Sequence, residues 1–320
     1  MRSFERNTPS PEFPVSFRDL SNELYEAFSD DEANNGRGAV FAMLERWVEP
    51  SRQTLMTYSD LKRRNTPEDD YSTRDWSHNL YALSRVNDRL LAFLHTSETK
   101  PWFKKGDYVT FFEGIGFSSF ERDQFTPFHH EIVEVAAETI GLPVQVAFSF
   151  WPGLMFGEMV FSRSGVAVLA HPEAMDKNTA EQSTLHHAYT RPNRLTSDLS
   201  MGWGINSQWG TDFERSYESE THYYFGCPDV TAQLQKVDLL GAYDYHKNKF
   251  FRQGAFETIE ELSLERCREL LMHRCFVRGG IDIHRFGHDY RPNRFMLRVR
   301  KADTLWPLDE ALIEPYFARD

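Results

Sequence analysis

The chain has 320 residues, 40% hydrophobic and 26% charged, which supplies a core and excludes a disordered chain. Its net charge of -12, from 36 basic and 48 acidic residues, disfavours general binding to nucleic acid or to anionic membrane surfaces. Three cysteines, Cys227, Cys267 and Cys275, lack CxxC spacing and fit free thiols in a reducing cytoplasm, the expected location.

The N-terminal stretch MRSFERNTPSPEFPV lacks the apolar core of a signal peptide, and no apolar run is long enough to span a bilayer. The first hundred residues read as helical. Phe17, Leu20, Leu24 and Phe28 recur near helical spacing after Ser16, a residue suited to capping. A second helix in GRGAVFAMLERWVEPS is expected to break near Pro50. A third, longer helix places Trp76, Leu80, Leu83, Val86, Leu90 and Phe93 at steps of three or four.

After Lys100 the pattern changes. GDYVTFFEGIGF is rich in strand formers, VQVAFSF alternates, and GEMVFSRSGVAVLAHP reads as a hairpin turning at Ser164 and Gly165. Between these lies TPFHHEIVEVAAETIGLP, which reads as a helix opened by Thr126 and Pro127 and closed by Gly141 and Pro143. A further helix follows Pro172, then the irregular segment TRPNRLTSDLSMGWGINSQWGTDF. SLERCRELLMHRCF carries a helical stripe of Leu264, Cys267, Leu271 and Cys275, and FMLRVRK alternates as a strand does. The expected class is α+β. A mainly helical region over 1–100 packs on a mixed region over 101–320 with antiparallel strands and long ordered loops. The two regions can equally form one continuous domain.

The residues that could carry chemistry cluster in the second region. Ten of the twelve histidines fall between His129 and His288. Read as a helix, TPFHHEIVEVAAE puts His130, Glu134 and Glu138 on a polar stripe. The same reading turns His129 toward the core with Val133, Ala136 and Ile140. A histidine there requires a partner, either a hydrogen bond or a metal or haem iron. His129, His130, Glu131 and Glu134 are therefore the acid–base candidates. HEIVE carries Glu134 where the zinc-binding helix motif has its second histidine, so it is not that motif. His187 in LHHAY, with Asp282, His284 and His288 in IDIHRFGHDY, offers two or more imidazoles and a carboxylate. That set suits non-haem iron. A b-type haem needs only one axial residue and leaves no spacing signature.

Two loops share RPNR. Arg191 and Arg194 stand in the first, Arg291 and Arg294 in the second. Arginine forks bind carboxylates bidentately, and here they could equally pair with the chain's own acids. Trp203, Asn206 and Trp209 combine aromatic walls with an amide, which suits a planar organic ligand. Aromatics make up 14% of the chain, and most of them are expected in the core. GxGxxG after a strand, GxxxxGK[ST], GxSxG and the kinase set are absent, so dinucleotide, P-loop and ordinary α/β-hydrolase chemistry is disfavoured.

These features lead to an expected small-molecule enzyme, an iron- or haem-dependent oxidoreductase acting on an aromatic or amino-acid-like substrate. Two other readings compete. One is a cofactor-free acid–base enzyme of cyclase or condensing type, using Glu and His. The other is a non-catalytic acidic protein that neutralises a basic partner. Oligomeric state has no signature in the sequence.

Overall fold

The computed structural model describes residues 14–34, 38–63, 74–97, 103–126, 128–138, 143–171, 211–212, 215–227, 281–282, 297–301 and 313–315. The helix expected after Pro172, the helix expected over 263–276, and most of the two RPNR loops lie outside these residues.

Helix α1 (Phe17–Asn34) buries Phe17, Leu20 and Leu24, as their spacing requires. Near its end, the Asp31 carboxylate accepts the backbone N–H groups of Ala39 (3.0 Å) and Val40 (2.9 Å). These are orphan donors in the first turn of α2 (Gly38–Met56), so one helix caps the next. The break expected at Pro50 does not occur; α2 runs through it. Beyond the proline, Ser51, Thr54 and Leu55 are all buried, and their packing offsets the missing N–H. Helix α3 (Arg74–Ser97) carries the expected buried stripe, from Trp76 to Phe93.

The segment expected as a strand near residue 106 is instead helix α4 (Lys105–Gly114). Asp107 accepts the Lys104 N–H at 2.8 Å and so closes the first turn. Tyr108, Phe111 and Phe112 then fall at i, i+3 and i+4 and bury together. Tertiary burial outweighs their strand preference. Gly116, at φ 105°, takes the chain out of the helix as only glycine does easily.

A seven-stranded antiparallel sheet follows the order β1-β4-β5-β8-β9-β11-β12. These strands are β1 (Ser118–Phe120), β4 (Gly153–Phe156), β5 (Met159–Ser162), β8 (Arg215–Glu218), β9 (His222–Cys227), β11 (Leu297–Arg300) and β12 (Ile313–Pro315). A three-stranded sheet has the order β2-β6-β3, with β2 (His130–Glu138) parallel to β6 (Ser164–Ala170) and β3 (Gln145–Trp151) antiparallel to it. A short ribbon pairs β7 (Thr211–Asp212) with β10 (Ile281–Asp282). The protein is α+β.

Two sequence expectations are corrected here. TPFHHEIVEVAAE is not a helix: one turn at Thr126 gives way to strand β2. Ile132, Val133 and Val135 are all buried, and their branched side chains favour a strand. The hairpin turn is not at Ser164 and Gly165. It lies at Gly157, φ 64°, between β4 and β5. At Arg163 the chain leaves the large sheet for the small one.

One apolar cluster joins α1–α4 to the large sheet, from Phe17 and Leu83 to Phe156, Phe161 and Tyr217. It therefore crosses the boundary drawn at residue 100. A second cluster, with Phe125, Phe128, Ile132, Val166 and Tyr223, links the small sheet to β9.

Candidate functional site

The turn that starts at Thr126 fixes the site. The Thr126 carbonyl accepts the N–H groups of His129 (3.2 Å) and His130 (3.0 Å), so the two imidazoles leave the chain where β2 begins. Both histidines are fully buried. His129 is enclosed by Phe120, Phe128 and Tyr223, whose ring centroids lie 5.2, 4.9 and 5.3 Å away, all edge to face.

Each ring nitrogen has a partner, and for His129 the partners determine the tautomer. His129 Nε2 lies 3.0 Å from Glu218 Oε2. An ionised carboxylate only accepts, so Nε2 carries the hydrogen. Nδ1 is then a lone pair, 2.8 Å from the Thr126 hydroxyl, which donates to it. The same hydroxyl oxygen accepts the His129 backbone N–H at 3.2 Å. His130 differs: Nε2 lies 3.1 Å from the Arg122 carbonyl, while Nδ1 lies 3.0 Å from the Thr126 N–H and 3.1 Å from the Thr126 carbonyl, so each ring nitrogen faces an acceptor.

Glu218 collects donors from three segments. Besides His129, it accepts Lys301 Nζ on Oε1 at 2.7 Å and Arg122 Nη2 on Oε2 at 3.3 Å. Burial alone would push this carboxyl up. Hydrogen bonds from His129 and Lys301, with the nearby positive charges, bring it down to about 2. Burial lowers the His129 pKa against the opposing pull of Glu218, and Arg122 and Lys301 lower it further. Burial, then the neighbouring His129, lowers His130 to about 4. Burial and the Glu218 charge raise the Tyr223 phenol to about 12. At neutral pH the centre thus holds two neutral imidazoles beside an ionised carboxylate.

No family model, curated protein or solved structure matches the chain. The chemistry is therefore read from the side chains themselves.

Of the sequence candidates, His129 and His130 meet at this centre. The helical pairing of His130 with Glu134 does not form, because a strand separates such positions instead of stacking them. Nor is His130 solvated. Glu131 is buried on β2, and Glu134 is partly exposed on the same strand. Asp282 lies in β10, opposite Thr211. His187, His284, His288, Arg191, Arg194, Trp203, Asn206, Trp209, Arg291 and Arg294 lie outside the described residues. Among the described residues, no group of three His, Cys, Asp or Glu side chains could hold a metal ion. No described helix is long and apolar enough to cross a membrane. Sequence reading missed Glu218, Arg122 and Lys301. Glu218 is 89 positions from His129, 96 from Arg122 and 83 from Lys301, and no local pattern marks such a meeting.

Proposed function

We propose that the protein is a small-molecule enzyme working by general acid–base catalysis, with His129 as the proton-handling group. The observation that carries this reading is the ordered row Thr126 hydroxyl, His129 imidazole, Glu218 carboxylate. A hydroxyl on one ring nitrogen and an orienting carboxylate on the other is the geometry of an activated base. A substrate group that takes the place of the Thr126 hydroxyl gives its proton to Nδ1. The imidazolium formed is stabilised by Glu218 through Nε2–H, and returns the proton to the product or leaving group. Burial keeps the imidazole neutral before the reaction, which is the form a base needs.

An iron- or haem-dependent oxidoreductase remains the alternative for His187, His284 and His288. His129 and His130 do not favour it, because both nitrogens of each ring are already hydrogen-bonded, and ligation would cost those bonds.

The test is a metabolite extract incubated with wild type or with His129→Gln and read by mass spectrometry. A compound consumed by the wild type should be consumed about 10²–10⁴-fold more slowly by the variant. Equal consumption by both, or none by either, contradicts the reading.

A further inference from the structure

We propose that Tyr223 is the second catalytic residue of this site: its phenol donates a hydrogen bond to a substrate oxygen that turns negative as His129 takes a proton. The substrate class this fits is a carbonyl compound with a removable hydrogen on the neighbouring carbon. The inference rests on the acid–base reading of His129 and adds the group that receives the charge.

Strand register brings Tyr223 to the centre. Glu218 of β8 stands directly opposite Tyr223 of β9, so the two side chains leave the same face of the sheet. The Tyr223 ring stacks on Phe128, with centroids 4.7 Å apart and planes 20° apart, and meets His129 edge to face at 5.3 Å. That separation is within the span of one small molecule, which can therefore touch both groups.

Tyr223 is 5% exposed, yet among the described residues no hydrogen bond engages its hydroxyl. A tyrosine buried to that degree ordinarily has a partner for its O–H. The polar side chains around it are engaged with one another: Thr126 with His129, and His129 and Arg122 with Glu218. The phenol is thus a donor left for a ligand. Burial and the Glu218 charge hold its proton in place, so at neutral pH it donates and does not ionise. In the step, a carbon–hydrogen bond next to the carbonyl breaks. The proton goes to Nδ1 of His129, the electron pair forms a carbon–carbon double bond, and the carbonyl electrons move onto oxygen. The phenol keeps its proton and donates to that oxygen. The imidazolium then returns a proton to carbon, so the step balances without an oxidant.

The test is a metabolite extract incubated in heavy water with wild type, Tyr223→Phe or His129→Gln, and read by mass spectrometry for deuterium uptake. The wild type should place deuterium in a carbonyl compound. Tyr223→Phe keeps the ring and loses the donor, and should do so about 10²–10³-fold more slowly. Nitrogen-15 NMR of that variant should show the His129 tautomer unchanged, which separates donation to substrate from positioning of the imidazole. Uptake at the wild-type rate in Tyr223→Phe, with uptake lost in His129→Gln, would overturn this inference and leave the acid–base reading standing. So would a compound consumed by the wild type with no deuterium in any carbonyl compound. A changed His129 tautomer in Tyr223→Phe would also overturn it, since the phenol would then act through the imidazole. Neither uptake nor consumption by the wild type would overturn both readings.

Discussion

At the scale of single residues, the centre is built from groups whose preferred charge states support one another. His130 shows how this couples to pH. Its pKa is lowered from 6.5 to about 4 in the folded chain. Above pH 6.5 neither state binds the proton, so the neutral ring costs nothing. As pH falls from 6.5 toward 4, the unfolded chain takes up a proton that the folded chain refuses, and stability drops. The loss from this group is on the order of 3 kcal/mol. Urea midpoints at pH 7 and pH 4.5 should therefore lie closer together for His130→Gln than for the wild type. An unchanged gap between the two midpoints would show that His130 does not carry the acid sensitivity. Sequence reading turned His129 toward the core and asked for a buried partner, but through a helix that does not form. The identity of that partner was not legible, because Glu218 arrives from another strand.

At the scale of elements, α1 and α3 were legible because their apolar positions step by three and four. The stretch from His130 to Glu138 was not. Its apolar residues Ile132, Val133 and Val135 do not alternate strictly, and a short apolar stretch of that kind is as compatible with a helix as with a strand. GDYVTFFEG misled in the other direction, since its cap at Asp107 and its aromatic triplet form a helix from residues that prefer strands. The crossing from β5 to β6 rests on a close approach at Gly165. A Cβ there would stand 2.3 Å from the Trp151 ring, and Trp151 is itself held by a 2.9 Å bond from Nε1 to the Arg163 carbonyl. Gly165→Ala should cost about 1–3 kcal/mol by overpacking. Gly106 in α4 meets nothing within 4 Å, so Gly106→Ala should be neutral or stabilising. Chemical denaturation of both variants checks the contrast, and equal midpoints would contradict it.

At the scale of the whole molecule, the helical part and the large sheet share one apolar cluster. Leu83 of α3 and Phe161 of β5 both belong to it. Leu83→Ala should therefore cost about 2–5 kcal/mol. Far-ultraviolet circular dichroism and tryptophan fluorescence should report one shared transition, whereas a helical signal that melts first would separate the two parts. The same long-range assembly makes the site, which brings the 120s turn, β8 and the end of β11 to one imidazole. The central claim is that this imidazole is a neutral base, held with Nε2–H on Glu218 and its Nδ1 lone pair toward Thr126. Nitrogen-15 NMR of histidine-labelled protein at pH 7 tests it most directly. The account predicts the Nε2–H tautomer for His129, and a lower pKa still in Glu218→Gln, where the carboxylate's support for the charged ring is lost. A protonated Nδ1, or a ring already charged at pH 7, would contradict it.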